Sequence, residues 1–374
     1  MSQYGFVAVH LGAGCHSSKS EGIYKKLCKI TCEKACFSQG AALLQEGKSA
    51  LDVACELVCI LEDSPLTNAG YGSNLTESGE VECDAGIMLS LKSQRSTQFG
   101  AVSSLKSIKN PILVAKEIIL YQNEPRLLGR TPPIVLVGEG ASEFAKKRGL
   151  NLVHNSTLVS DKAMRKYKKY KERLEVSRKA LSSGLKITVQ PNPSQDTVGV
   201  ICIDRNGDIA SASSSGGIAM KLPGRVGQVP VYGCGCWAQH SNSNGVAVST
   251  SGCGEQLILT TLAKRLGQTI LERGEPAFHL KELMCDEFIN SEMLSDDAYD
   301  RMGGVLVAYH SEDSIEFNIA FTTESMVVGF MSTNHEKAIV RVSRNKSSLA
   351  PPTNANDSSL SRLTMEGFIV RLIN

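Results

Sequence analysis

The sequence predicts a mixed α/β protein, and three stretches carry that reading. An apolar run, Phe6 to His10, breaks into Gly12-Ala13-Gly14 and leads into helix-period patterns, so a strand feeds a glycine turn and then helices. At residue 197 the texture changes abruptly to Thr-Val-Gly-Val-Ile-Cys-Ile-Asp, a buried strand, followed by Arg-Asn-Gly and a second small-residue run, which is a hairpin signal. Beyond residue 255 helical and strand patterns recur much as in the first half.

Taken in order, the first strand is followed by helical patterns at about 20–46 and 49–62. Strand-like stretches come at 81–91 and 98–103, a helix at 111–122 opened by Pro111, a buried strand at Ile134–Val137, and a short helix at 141–149. Between 155 and 195 the apolar periodicity fades. Lys162–Lys179 there holds nine Lys and Arg against Glu172 and Glu175, and the segment reads as an exposed linker, helical in part. After the hairpin come a glycine-rich stretch at 216–237, helices at about 255–273 and 276–290, and strands at 304–310, 315–322 and 326–331. The Ser/Asn-rich stretch 343–359 reads as a mobile tail region. No repeat of 20–50 residues is present.

With 374 residues and 42% hydrophobic content, the chain is long enough for one large core or two modest ones. A net charge of +2 excludes a global field for a polyanionic partner, so any such argument rests on the local cluster at Lys162–Lys179. The first residues lack the basic-then-apolar layout of a signal peptide, and no segment holds 18 uninterrupted apolar residues; a soluble, non-secreted protein without membrane contact is expected. Of the twelve cysteines, Cys28, Cys32 and Cys36 recur every four residues, as do Cys55 and Cys59, which places each set on one helix face as small buried thiols. No paired Cys/His spacing suggests a metal, and no cofactor is expected.

The hairpin carries the chemistry. Gly207 suits the left-handed position of a three-residue loop Arg205-Asn206-Gly207, flanked by Asp204 and Asp208, and pairing then places Thr197 opposite Ser215. Directly opposed side chains lie about 4.5–5.5 Å apart at Cβ, so two hydroxyls meet at one sheet end. A two-residue Asn-Gly loop would shift the register and turn Ser215 to the other face. A threonine hydroxyl needs a base, and no His-rich triad spacing surrounds Thr197. Its own α-amine, with a pKa of about 7.7–8, would serve, but it exists only if the Asp196–Thr197 bond is broken.

Asp196-Thr197-Val198-Gly199, Ser214-Ser215-Gly216-Gly217, Gly224-Arg225-Val226-Gly227-Gln228 and Ser251-Gly252-Cys253-Gly254-Glu255 together resemble the asparaginase/taspase family of threonine-nucleophile hydrolases. Upstream, His10-Leu11-Gly12-Ala13-Gly14, Leu66-Thr67-Asn68-Ala69-Gly70 and Asp84-Ala85-Gly86-Ile87-Met88 are similar to family stretches, with Leu11 where a glycine is more usual. The resemblance spans roughly residues 5–331. It implies a four-layer αββα sandwich and self-cleavage before the threonine into an α chain, 1–196, and a β chain, 197–374, which form one composite domain. By the same resemblance Thr197 is the nucleophile and Ser215 the hydroxyl that orients its amine. Arg225 would bind the substrate carboxylate, Ser251 and Gly252 the oxyanion, and Asn68 would contribute from its glycine-rich loop. It further implies an αβ heterodimer, and a dimer of such pairs.

The family divides between enzymes acting on free asparagine or small β-aspartyl compounds and a taspase branch that cuts polypeptides after aspartate. The small-substrate branch places an aspartate after Gly-Arg-Val-Gly to neutralise an ammonium group; here Gln228 stands there. A peptide's internal amide carries no charge, so Gln228, with Ser215, Gly233-Cys234-Gly235-Cys236-Trp237 and the basic insert, resembles the peptide-cutting branch. That branch implies protein substrates among nuclear transcription regulators and a nuclear and cytoplasmic location, with Lys162–Lys179 as an import signal or a solvated linker helix. The alternative is an asparaginase or isoaspartyl peptidase. A third reading, a nuclear nucleic-acid-binding protein, is disfavoured because Tyr167 and Tyr170 are the segment's only interleaved stacking aromatics.

Overall fold

The computed structural model describes residues 4–37, 42–94, 96–184, 196–294, 301–345 and 362–372. The first strand, β1 (Phe6–Gly14), leads to helices α1 (Glu21–Cys36) and α2 (Ala50–Glu62). Strands β2 (Cys83–Leu91) and β3 (Ser96–Leu105), helix α3 (Pro111–Gln122), strand β4 (Val135–Val137), helix α4 (Gly138–Lys147) and the basic helix α5 (Asp161–Ser182) complete the first half. The hairpin strands β5 (Val198–Ile203) and β6 (Ile209–Ser215) open the second half. They are followed by β7 (Cys236–Ser241), β8 (Asn244–Gly252), α6 (Gly254–Thr260), α7 (Leu262–Arg273) and α8 (Pro276–Leu283). Strands β9 (Gly303–His310), β10 (Ser314–Phe321), β11 (Ser325–Ser332), β12 (Ile339–Arg344) and β13 (Thr364–Arg371) end the described chain.

Two sheets stack between two helical layers. One runs β12-β11-β1-β5-β6-β2-β3-β4, the other β13-β10-β9-β8-β7. Because side chains alternate along a strand, each central strand feeds two cores. In β5, Val198, Val200 and Cys202 join a core with the cysteine faces of α1 and α2, whereas Ile201 and Ile203 join one with β8, β9, α7 and α8. That division explains the unbroken apolar runs and is the four-layer αββα arrangement.

The hairpin has the three-residue loop. The Asp204 N–H donates to Asp208 O, Gly207 has φ +82°, and the register runs from Ile203↔Ile209 to Val198↔Ser214. Thr197, one residue beyond, therefore lies on the inter-sheet side at the end of the central strand, opposite Ser215.

Several expectations are corrected. The strand at 134–137 is a half-exposed sheet edge, not a buried strand, since among the described residues β3 is its sole strand neighbour and Ile134 and Val137 are exposed. The helix at 255–273 is two helices, α6 and α7, broken at Thr261 with φ +46°. Strands β7 and β8 occupy chain left unassigned after the glycine-rich stretch, which itself overlaps β7 only at 236–237. Helix α5 is only partly an exposed linker. Its first half docks: Ala163 is buried with Leu75, Val81, Cys83 and Leu158, and the Tyr167 hydroxyl donates to Glu77 O. Part of the tail at 343–359 is paired, because β12 runs to Arg344 beside β11 and the Asn345 N–H donates to Glu324 O; residues 346–359 lie outside the described residues, as does linker 185–195.

Candidate active site

A bulge in β1 opens the floor of the site. Its pairing with β11 slips between His10 and Ala13, so Leu11 and Gly12 leave the ladder beside the end of β5. Gly12 has φ +115°, and a Cβ there would lie 2.6 Å from Asp196 Cβ, so the Asp196–Thr197 junction rests directly on this glycine. Close approach also dictates Gly199, where a Cβ would lie 2.2 Å from both His10 Nε2 and Ser249 Oγ. Those two atoms hydrogen-bond at 2.8 Å between the sheets, and Ser249 Oγ meets Ser213 Oγ at 3.2 Å. Burial drives the His10 imidazole pKa down to about 3, so it sits neutral in this seam below the nucleophile.

Thr197 is 2% exposed and lines a narrow cleft with Asn68, Ser215, Arg225, Gln228 and Gly252. Its N–H donates to Ser251 Oγ at 3.2 Å, and Gln228 Nε2 donates to its Oγ1 at 3.2 Å. Ser251 Oγ also accepts the Ala13 N–H at 2.9 Å, and with two N–H groups accepted its own proton remains to be donated. Ser215 lines the cleft, but its Oγ accepts the Gly217 N–H at 3.0 Å. The hydroxyl bonded to the threonine nitrogen is therefore that of Ser251, not of Ser215. Asn68 Nδ2 donates to Gly217 O and its Oδ1 accepts from Asn74 N, both at 2.8 Å, so Asn68 ties its own loop to the turn at 216–217.

Arg225 is already engaged: Nε and Nη2 donate to the two carboxylate oxygens of Glu255 at 2.8 and 2.6 Å. Burial pushes the Glu255 carboxyl up, but the Arg225 fork outweighs this and holds it below the usual range. Asp84 clamps the turn that carries Arg225 and Gln228. One oxygen accepts the Gly227 N–H at 3.1 Å, and the other accepts from Ser103 Oγ and Ser104 N. Glu62 braces Ser214 at 2.6 Å, and burial raises its carboxyl to about 8.

The predicted residues Thr197, Ser215, Ser251, Gly252, Arg225, Gln228 and Asn68 thus line one cleft or border it directly. The seam His10–Ser249–Ser213, the Glu255 partner and the Asp84 clamp were not legible, because strand pairing and turn docking bring them in from distant segments. Asp84, His10 and Glu255 had a signal only in that each stands in a stretch already singled out. Among the described residues no group of three or more His, Cys, Asp and Glu could hold a metal, and all the cysteines are free thiols.

The model of the family described as Asparaginase matches residues 3–340. Isoaspartyl peptidase of Escherichia coli K12 is 32% identical over 325 residues, covering 86% of this chain and 90% of that protein. Isoaspartyl peptidase/L-asparaginase of Danio rerio is 34% identical over 274 residues, 73% of this chain and 77% of that protein. The protein of the same description from Bos taurus is 36% identical over 236 residues, 63% and 68% of the two chains. These descriptions stand with the small-substrate alternative rather than with the peptide-cutting branch.

Proposed function

From the premise that this chain belongs to the Asparaginase family of N-terminal-nucleophile hydrolases, we propose a threonine hydrolase that cuts itself between Asp196 and Thr197 and then acts on aspartyl bonds. The observation that carries it is the double engagement of Thr197, nitrogen on Ser251 and hydroxyl on Gln228, at a buried strand start. In the precursor, Thr197 Oγ attacks the Asp196 carbonyl, the C–N bond breaks, and the hydroxyl proton ends on the freed nitrogen. Water then hydrolyses the ester. The new amine takes the hydroxyl proton in each later attack on substrate and passes it to the leaving nitrogen. Ser251 Oγ and the Gly252 N–H hold the developing oxyanion, each donor worth about 10²–10³ in rate. Arg225 holds the substrate carboxylate.

For the substrate, the neutral Gln228 supports polypeptide cleavage after aspartate, the taspase-type activity. It is buried, donates to the nucleophile and offers no anion to a free ammonium group. The relatives' descriptions support the second reading, hydrolysis of isoaspartyl dipeptides or free asparagine. Intact mass and N-terminal sequencing of the purified protein test the class, which requires a chain beginning at Thr197. An Asp-containing peptide, the same peptide with Ala at that Asp, a β-aspartyl dipeptide and free asparagine test the branch. Brisk hydrolysis of the small substrates with the Asp peptide untouched overturns the peptide reading and leaves the threonine mechanism standing.

The branch reading brings protein substrates among nuclear regulators, an αβ unit that pairs with a second one, and nuclear import through α5. Because Lys166 Nζ donates to Asn74 Oδ1, import is tested on the outward residues Arg165, Lys168, Lys169 and Lys171, neutralised together. An unchanged nuclear fraction of the protein in imaged cells overturns it.

A further inference from the structure

The precursor holds the side chain of Asp196 somewhere other than where a substrate carboxylate would go. Arg225 faces Glu255, whereas Asp196 lies across the bulged strand over Gly12, with its Oδ1 3.8 Å from His16 Nε2. Among the described residues neither of these two buried atoms has a hydrogen-bond partner. His16 is 3% exposed and firmly set. Its N–H donates to Ser325 Oγ at 2.9 Å, its Nδ1 meets the same hydroxyl at 3.0 Å, and its carbonyl accepts from Arg344 Nη1 at 3.0 Å. The Tyr24 ring packs edge-on against it at 5.2 Å. Nδ1 is taken up by the Ser325 hydroxyl, which also lies 3.3 Å from Gly14 O, and Nε2 is the ring nitrogen left to face Asp196. Everything that fixes this imidazole therefore aims one atom at the residue before the scissile bond.

We propose that His16, on the floor made by Gly12, is a positioning residue for self-cleavage that orients the Asp196 carboxyl, so that maturation and substrate turnover use separate carboxylate clamps. The inference rests on cleavage at Asp196–Thr197. Once the α chain's new C-terminus leaves the cleft, His16 has no further part, and Arg225 alone meets the carboxylate of an incoming substrate. Burial pushes the Asp196 carboxyl up while His16, Lys166 and Lys162 draw it back down, so removal of His16 leaves a buried carboxyl less able to ionise.

The experiment follows the appearance of the Thr197 terminus by intact mass in full-length wild type, His16→Asn, Asp196→Asn and the double variant. It then measures kcat/KM of the fully matured chains on the substrate identified for the wild type. His16→Asn is expected to slow self-cleavage by about tenfold, mid-range for contacting groups, while matured kcat/KM stays within about twofold. In the Asp196→Asn background it should slow cleavage no further, because its partner is already gone. Equal slowing in both backgrounds, no slowing at all, or a matching fall in matured kcat/KM overturns the proposal, since each makes His16 merely structural or a turnover residue. If Asp196→Asn does not cleave, the contrast between self-cleavage and matured turnover decides alone. A wild-type chain cut elsewhere, or not cut, overturns the cleavage-site reading instead.

Discussion

Replacing Arg225 by alanine separates substrate recognition from folding, and the structure sets both magnitudes. The Arg225 side chain is 14% exposed, but its partner Glu255 is 56% exposed, so the pair sits at the water boundary. Such a pair contributes about 0–1 kcal/mol to stability, and Glu255 regains water when its partner is lost. A charge-assisted bond from the fork to a substrate carboxylate is worth about 1.5–3 kcal/mol, or roughly tenfold to 150-fold in kcat/KM. Arg225→Ala should therefore lose that factor on every carboxylate-bearing substrate with little change in thermal midpoint. Arg225→Lys should recover only part of it, because a point charge cannot reproduce the planar two-bond fork. The assay is steady-state hydrolysis by matured variants, with a thermal melt of each. Retention of kcat/KM within about threefold in Arg225→Ala would refute the recognition argument under both substrate readings.

Three further outcomes follow from the same geometry. Thr197→Ala should stay an intact, inactive chain, having neither nucleophile nor hydroxyl for the acyl shift; normal processing seen by mass would remove Thr197 from the mechanism. Gly199→Ala drives a Cβ between His10 and Ser249 and should cost about 2–4 kcal/mol from overpacking and the lost hydrogen bond, read as a lowered unfolding midpoint in urea. Gln228→Asp replaces the donor on Thr197 Oγ1 by a buried anion, so kcat/KM on the Asp peptide should fall about tenfold or more while free asparagine becomes a better substrate. Unchanged selectivity between the two substrates would show that residue 228 does not choose the branch.

What the sequence by itself determined follows from local rules and from short motifs. Gly207 required a left-handed turn, the turn set the hairpin register, and the register brought Thr197 and Ser215 to one sheet end, as the structure shows. The motif stretches named the cleft because several, Ser214–Gly217 and Ser251–Glu255 among them, are glycine-punctuated strand ends whose shape depends on their own few residues. Which hydroxyl touches the threonine nitrogen depended on tertiary structure. Ser251 reaches it from β8 of the other sheet, whereas Ser215, its strand-opposite neighbour, is drawn to Gly217. The same holds for the docking of α5 through Lys166 and Tyr167, for Arg225 and Glu255, and for His16 against Asp196. Apart from Ser215 with Gly217, these contacts join residues 30 to 180 positions apart through sheet stacking, helix docking and a strand bulge, and hydrophobic period records only which face of a strand is buried, not which polar group of another layer will meet it there.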